Sequence, residues 1–172
     1  MDHKILVAYA SWTGSTGEVA EGIGQALRNG ITQVDVLPAR AVTDISPYRA
    51  VVLGTPVHAG RVHADVLAFL KVHHKALSEV PVAYFVVCLT MKDNTEANRR
   101  RATAYLNPLY RKAPQVRPVS VGLFAGALHY TQKISFPLRL ILKAMKAPEG
   151  DYRNWDTIRA WATSIRPALL GS

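Results

Sequence analysis

Short runs of apolar residues alternate with amphipathic stretches along the chain. Continuous apolar runs of this length are typical of strands that are covered on both faces of a sheet. They predict five strands, at residues 4–10, 33–37, 50–54, 82–90 and 116–125. Between and after them, the spacing of apolar positions predicts helices at residues 17–28, 62–77, 95–110, 136–145 and 155–165.

Alternation of strand and helix predicts an α/β protein with a parallel sheet and right-handed crossover connections. A chain of 172 residues suits one domain spanning residues 1–172. In such a sheet, the loops after the first, third and fourth strands meet at one edge, where ligands bind. We therefore expect any binding site at that edge.

The loop after the first strand has the composition of an anion site. Glycine and hydroxyl side chains at the start of a helix add donors to the unpaired N–H groups there. The predicted phosphate-binding residues are Ser11, Trp12, Thr13, Gly14, Ser15 and Thr16. The loop lacks the lysine of nucleotide-triphosphate loops and the three spaced glycines of dinucleotide loops. The remaining ligand class is one with a terminal monophosphate.

This loop resembles the phosphate loop of flavodoxins, which bind FMN. The resemblance implies a flavodoxin-like three-layer sandwich with a five-stranded parallel sheet of order 2-1-3-4-5. It also implies that the loops after the third and fourth strands contact the flavin ring. These loops contribute Thr55, Pro56, Val57, His58, Ala59, Gly60, Leu89, Thr90, Met91 and Lys92. The second of them lacks the aromatic residue that often stacks on the flavin, so one ring face is either open or covered by Trp12 or Tyr130.

Two residues after the third strand are candidate catalytic groups. His58 is either a solvent-facing loop residue or a group at the flavin edge that tunes it or relays protons. Arg61 is either a surface charge or a bidentate partner of a substrate carboxylate. His63 is expected at the surface or as a helix cap, and the adjacent His73 and His74 lack the partners of a metal site.

Composition adds limits on compartment and partners. One cysteine, Cys88, excludes an internal disulfide and favours the cytoplasm, and its apolar run predicts a buried core position. The net charge of +9 suits an anionic partner, such as a lipid surface or a carboxylate-bearing substrate. Nucleic acid is disfavoured, because few aromatic residues lie among the basic ones. No apolar run reaches the roughly 18 residues that would span a bilayer.

The helix predicted from Phe136 to Met145 is both apolar and basic. Leu138, Ile141 and Leu142 share one face with Met145, and basic residues occupy another. Packing of the apolar face on the sheet is the favoured interpretation. The alternative is contact with an anionic membrane surface.

The C-terminal third carries the most specific sequence pattern. Residues 122–130, 136–138 and 147–156, the last ending in Gly150-Asp151-Tyr152-Arg153-Asn154-Trp155-Asp156, resemble the flavodoxin-domain family that includes the quinone-dependent protoporphyrinogen IX dehydrogenases. The resemblance implies an FMN-dependent enzyme that oxidises protoporphyrinogen IX to protoporphyrin IX with a quinone as acceptor. A flavodoxin-type electron carrier or another FMN-dependent quinone reductase is the alternative. The oligomeric state, including a homodimer, stays open.

Overall fold

The computed structural model describes residues 3–128, 135–144 and 150–171. The strands are β1 (His3–Tyr9), β2 (Thr32–Pro38), β3 (Ala50–His58), β4 (Arg61–Val62), β5 (Val82–Val87), β6 (Val121–Phe124), β7 (Ala127–Leu128) and β8 (Gly150–Asp151). The helices are α1 (Ser15–Leu27), α2 (Ala64–Leu77), α3 (Glu96–Ala104), α4 (Asn107–Lys112), α5 (Phe136–Ala144) and α6 (Trp155–Leu170).

The main sheet contains five parallel strands in the order β2-β1-β3-β5-β6. This confirms the predicted 2-1-3-4-5 order, with β5 and β6 as the predicted fourth and fifth strands. Two features were not predicted. The short strand β4 pairs antiparallel with the end of β3, and β7 pairs antiparallel with β8 in a separate ribbon.

Helices cover both faces of the sheet, as a three-layer sandwich requires. On one face, apolar residues of α1 and α6 pack against the sheet, among them Ile23 and Ile158. On the other face, α2, α3 and α4 contribute residues such as Leu70, Ala102 and Leu109. The central strands β1, β3 and β5 are therefore buried on both sides.

Proline explains two differences from the predicted boundaries. The single helix predicted at residues 95–110 is two helices, and Pro108 lies in the first turn of the second. Proline has no N–H for a helix interior but is tolerated at a helix start. Pro118 likewise cannot donate to a β-ladder, so hydrogen bonds to β5 begin only at Val119, whose N–H donates to the Val82 carbonyl at 2.7 Å.

The helix α5 differs more strongly from expectation. Its described apolar residues Phe136, Leu140 and Ile141 are 70%, 53% and 55% exposed. Neither of the two core clusters contains a described residue of α5, because the other helices already cover both sheet faces. Packing on the sheet is therefore wrong for Ile141, the member of the predicted stripe whose side chain is described. None of the described helices has the length and apolar character needed to cross a membrane.

Candidate functional site

The loop between β1 and α1 has the geometry of an anion-binding turn. Gly14 adopts φ +97°, a left-handed conformation that favours glycine, and α1 begins at the next residue. The Gly14 N–H donates to Ser11 Oγ at 2.8 Å, and the Glu18 N–H donates to the Gly14 carbonyl at 3.2 Å. These bonds fix the turn, so that the first N–H groups of α1 face the loop.

Thr16 carries the clearest sign that the loop holds a ligand. The residue is 1% exposed, and its hydroxyl has no hydrogen-bond partner among the described residues. A buried hydroxyl without a partner costs about 1–3 kcal/mol. Thr16 also lines the cavity described below. An anion seated at the N-terminus of α1 would satisfy this hydroxyl.

The segment after β3, predicted as a loop, is a tight hairpin. β3 continues to His58, and β4 begins at Arg61, with His58 directly opposite Arg61. The two turn residues, Ala59 and Gly60, have φ +49° and +73°, as in the turns that best join antiparallel strands. The hairpin presents Ala59 and Gly60 to the cavity, whereas the exposed Arg61 lies outside its lining.

Thr55 is buried beneath this hairpin. Its hydroxyl donates to the Pro56 carbonyl at 2.9 Å and accepts from the His63 N–H at 3.1 Å. The side chain thus joins β3 to the start of α2. The structure places Thr55 as a support for the hairpin, outside the lining of the cavity.

Trp12 covers His58. The two rings are stacked with centroids 4.2 Å apart, and the Trp12 ring also lies 4.6 Å from the His63 ring. Burial and the nearby His63 lower the pKa of His58, so the imidazole is neutral near pH 7. His58 is half-buried at the end of β3 beneath the Trp12 ring, which favours a group in the cavity wall over a solvent-facing loop residue. Tyr130, the other aromatic residue considered for this position, lies outside the described residues.

His63 caps α2, as one of its two interpretations predicted. Its Nδ1 accepts a hydrogen bond from the Asp65 N–H at 3.1 Å. The cap fixes the ring that packs against Trp12.

The segment after β5 forms a short helical turn over Leu89–Lys92. The hydroxyls of Thr90 and Tyr105 lie 3.1 Å apart in a hydrogen bond, and Lys92 Nζ lies 5.0 Å from the centre of the Tyr152 ring. Met91 points into the core instead and is buried. Burial raises the pKa of the Cys88 thiol, in keeping with its expected core position.

These segments surround one cavity of about 430 Å³. The predicted site residues that line it are Trp12, Thr13, Ser15, Thr16, Pro56, Val57, His58, Ala59, Gly60, Leu89, Thr90 and Lys92. Ser11 and Gly14 line a neighbouring groove that also contains Trp12 and Thr13. The three segments that the sequence placed at the sheet edge therefore do meet.

Several lining residues were missed by the sequence reasoning. Tyr105 reaches the cavity from the junction of α3 and α4, Tyr152 follows β8, and Ile141 comes from α5. Tyr152 belongs to the Gly150–Asp156 pattern, which was noticed only as a family signature. The break at Pro108 was the available signal for Tyr105, because it ends α3 beside the cavity.

The described residues include no group of three His, Cys, Asp or Glu side chains arranged to hold a metal. His73 is buried, with Nε2 3.4 Å from the Val42 carbonyl and its ring packed on Phe69. His74 pairs with Gln115. Each histidine thus has a structural partner.

Comparisons with known proteins agree with this architecture. The chain is 28% identical to a protoporphyrinogen IX dehydrogenase (quinone) of Leishmania major, over 94% of this chain and 74% of that protein. It is 26% identical to the protein of that name in Escherichia coli K12, over 94% of each. A flavodoxin of Fusobacterium nucleatum, solved bound to flavin mononucleotide, superposes with a TM-score of 0.53 at 16% identity, covering 96% of this chain and 98% of that one.

The family model described as a flavodoxin domain matches residues 6–156, which include the phosphate-type loop, the hairpin and the Leu89–Lys92 turn. The match covers most of the chain, and the fold and strand order agree with it. The chain belongs to the flavodoxin-domain family.

Proposed function

We propose that this protein is an FMN-dependent oxidoreductase that holds the phosphate in the 11–16 loop and the flavin ring in the adjoining cavity. The buried Thr16 hydroxyl, which has no partner among the described residues, carries this proposal, because a phosphate bound at the start of α1 would accept its hydrogen bond. The N-terminus of α1 adds N–H donors and the positive end of the helix dipole.

The ring end of the cavity suits a flat, polar-edged ring system. Trp12 presents an aromatic surface held by His58 and His63, while the hairpin Ala59–Gly60 brings its backbone to the cavity. Apolar residues such as Leu128 and Val87 line other parts of the wall. These contacts would orient the ring and exclude water from it.

The names of the relatives supply the finer proposal: oxidation of protoporphyrinogen IX to protoporphyrin IX, with a quinone as acceptor. FMN, when bound, supplies the two-electron redox chemistry between donor and acceptor. The full conversion removes three pairs of hydrogen atoms from the porphyrinogen and reduces three quinones to quinols. An enzyme is favoured over an electron carrier because the curated relatives are named as dehydrogenases.

The chain's own side chains have three proposed roles in this reaction. Lys92, beside Tyr152 in the cavity wall, would attract a propionate of the substrate. Arg61, exposed at the hairpin, would do the same from the outer side. His58, neutral and covered by Trp12, would support the ring-binding surface and is a candidate proton acceptor.

Helix α5 supports a peripheral contact with the membrane. Three apolar side chains of this helix are exposed, and Ile141 also lines the cavity. Bound to an anionic lipid surface, the segment from Phe136 towards Met145 would bring the cavity close to membrane-dissolved quinone. The side chains of Leu138, Leu142 and Lys143 and the residue Met145 lie outside the described parts of the structure.

Anaerobic mixing tests the proposed reaction. The FMN-loaded protein is mixed with protoporphyrinogen IX, flavin absorbance is followed, and menaquinone is then added. We expect bleaching of the flavin, appearance of the porphyrin absorbance, and recovery of the flavin band when the quinone is added. Flavin that stays oxidised with the porphyrinogen but is bleached by dithionite would overturn the dehydrogenase and favour the electron carrier or another quinone reductase. Failure to bind FMN would overturn the dehydrogenase, the electron carrier and the quinone reductase alike.

A further inference from the structure

Arg153 links the C-terminal sequence pattern to α1, the helix that begins within the 11–16 loop. Its Nη1 donates to Glu18 Oε2 at 2.7 Å, and Glu18 lies in the first turn of α1. Its Nε and Nη2 donate to the two carboxylate oxygens of Asp151 at 2.9 and 2.7 Å. One guanidinium therefore joins two acidic residues that are far apart in the chain.

The surroundings of Arg153 hold it in place. Its side chain is 9% exposed, although its partners Glu18 and Asp151 are 62% and 41% exposed. The guanidinium carbon lies 4.9 Å from the centre of the Trp155 ring. That ring in turn packs on α1, where a Cβ added at Gly22 would lie 2.9 Å from it. A bidentate, stacked arginine of this kind is more rigid than an ordinary surface ion pair.

Glu18 lies close to the proposed phosphate site. It lies two residues after Thr16 in the first turn of α1, and its N–H bonds to the Gly14 carbonyl. Its side chain lines the neighbouring groove together with Thr13 and Gly14, whereas Thr16 lines the main cavity. A carboxylate in the first turn interacts favourably with the positive helix end, which is also where an FMN phosphate would bind. An unpaired Glu18 would therefore repel the phosphate and compete for the same dipole. Glu21 and Asp65 add negative charge to this groove, and Arg40 adds positive charge.

We infer that Arg153 is a positioning residue for the cofactor phosphate, which it acts on through Glu18. By pairing with Glu18, it offsets part of the negative charge beside the phosphate loop, and by pairing with Asp151 it is itself held at that point. This inference rests on the proposed FMN site. It gives the Gly150–Asp156 pattern a role in phosphate binding in addition to the contribution of Tyr152 to the cavity wall.

The test compares two ligands that differ only in the phosphate. FMN and riboflavin are each titrated into the apoprotein, and binding is followed by quenching of flavin fluorescence. We expect Arg153→Met to weaken FMN binding about threefold to tenfold and to leave riboflavin unchanged. The double variant with Glu18→Gln should restore FMN affinity, because the unpaired charge is gone. Arg153→Lys should retain part of the affinity.

Arg159→Met is the matched control, because Arg159 makes an exposed pair with Asp156 in the first turn of α6. It should change the affinity for neither FMN nor riboflavin. A purely structural role for Arg153 makes the opposite prediction: Arg153→Met would weaken both ligands equally, and Glu18→Gln would not rescue it. That result would overturn the inference.

If Arg153→Met does not fold, the single variant Glu18→Gln tests the inferred effect of the Glu18 charge on phosphate binding. We expect it to hold or raise the affinity ratio of FMN to riboflavin, and added salt should reduce any gain. A fall in that ratio would overturn the inference. A wild-type protein that binds neither ligand would overturn the proposed function as well, whereas wild-type FMN binding with no phosphate-specific effect in the variants would overturn the inference alone.

Discussion

The two ends of the proposed FMN site are built in different ways. The phosphate end comes from six consecutive residues, 11–16, the last two of which begin α1, and from the rest of the first turn of that helix. The ring end combines the Ala59–Gly60 hairpin, the Leu89–Lys92 turn and two tyrosines, Tyr105 and Tyr152, from other parts of the chain. The first is a local motif, and the second is a product of tertiary packing.

Because of this difference, the two ends are expected to recognise different parts of the ligand. The phosphate end offers a helix N-terminus and the Thr16 hydroxyl, which has no partner in the described part of the chain, and both groups suit any terminal phosphate. The ring end offers stacked rings, a lysine beside a tyrosine and an apolar helix at its margin. We therefore expect changes at the phosphate end to act on FMN but not on riboflavin. Changes at the ring end should alter the affinity for both flavins or the KM for protoporphyrinogen IX.

Removal of the Thr16 hydroxyl should have the largest effect. Thr16→Val should weaken FMN binding by about 2 kcal/mol, roughly thirtyfold, and leave riboflavin unchanged. The apoprotein should be at least as stable as wild type in urea, because a buried hydroxyl without a partner is gone. Thr16→Ser, which keeps the hydroxyl, is the control. An equal loss of affinity for FMN and riboflavin would contradict the assignment of Thr16 to the phosphate end.

Removal of the Trp12 ring should have the next largest effect. Trp12→Ala should weaken FMN and riboflavin alike, by about 1.5 kcal/mol or roughly tenfold, because the aromatic surface is lost. Trp12→Phe should retain most of the affinity. Trp12 belongs to the 11–16 loop in sequence, but it stacks on His58 in space. A loss confined to FMN would place Trp12 with the phosphate end.

Lys92→Met should affect the substrate and not the flavin. With FMN-loaded protein, we expect KM for protoporphyrinogen IX to rise about fivefold, since one charge-assisted contact to a propionate is lost. FMN affinity should stay as in wild type. Lys71→Met, an exposed lysine on α2, serves as the control. A changed FMN affinity with unchanged KM would count against a substrate role for Lys92.

The smallest expected effect is a pH dependence at the ring end. The pKa of His58 is lower in the folded protein than its usual value near 6.5, so the unfolded chain binds more protons in that interval. The free energy of unfolding should therefore fall as pH falls from above 6.5 towards the folded pKa, and urea titrations across that range measure it. His58→Gln should flatten this slope. An unchanged slope in the variant would assign the effect to other groups.

Sequence reasoning performed well where structure is local. The alternating apolar and amphipathic runs predict the five parallel strands, and the resemblance to flavodoxins supplies their order. The 11–16 loop follows β1 as predicted, but its last two residues, Ser15 and Thr16, already belong to α1. The predictions were wrong where a single residue or a distant contact determines the local structure. Pro108 divides the helix predicted at residues 95–110, and the turn at Ala59–Gly60 converts an expected loop into a hairpin. Ala59 is an unusual residue at a positive φ, so composition alone did not indicate that turn.

The ring end was the least predictable part for the same reason. Tyr105 lies 15 residues from its hydrogen-bond partner Thr90. Arg153 lies 135 residues from Glu18. No periodic pattern encodes such pairs, because they depend on how separate elements pack. The sequence left the exposure of α5 open as the less favoured alternative, because an amphipathic stripe looks the same whether it faces a sheet or a surface.

Parallel titrations of the wild-type apoprotein with FMN and riboflavin test the central claim most directly. The account predicts that FMN binds about a hundredfold more tightly, because the Thr16 hydroxyl and the N-terminus of α1 both contact the phosphate. Equal affinities for the two flavins, or no binding of FMN, would contradict it.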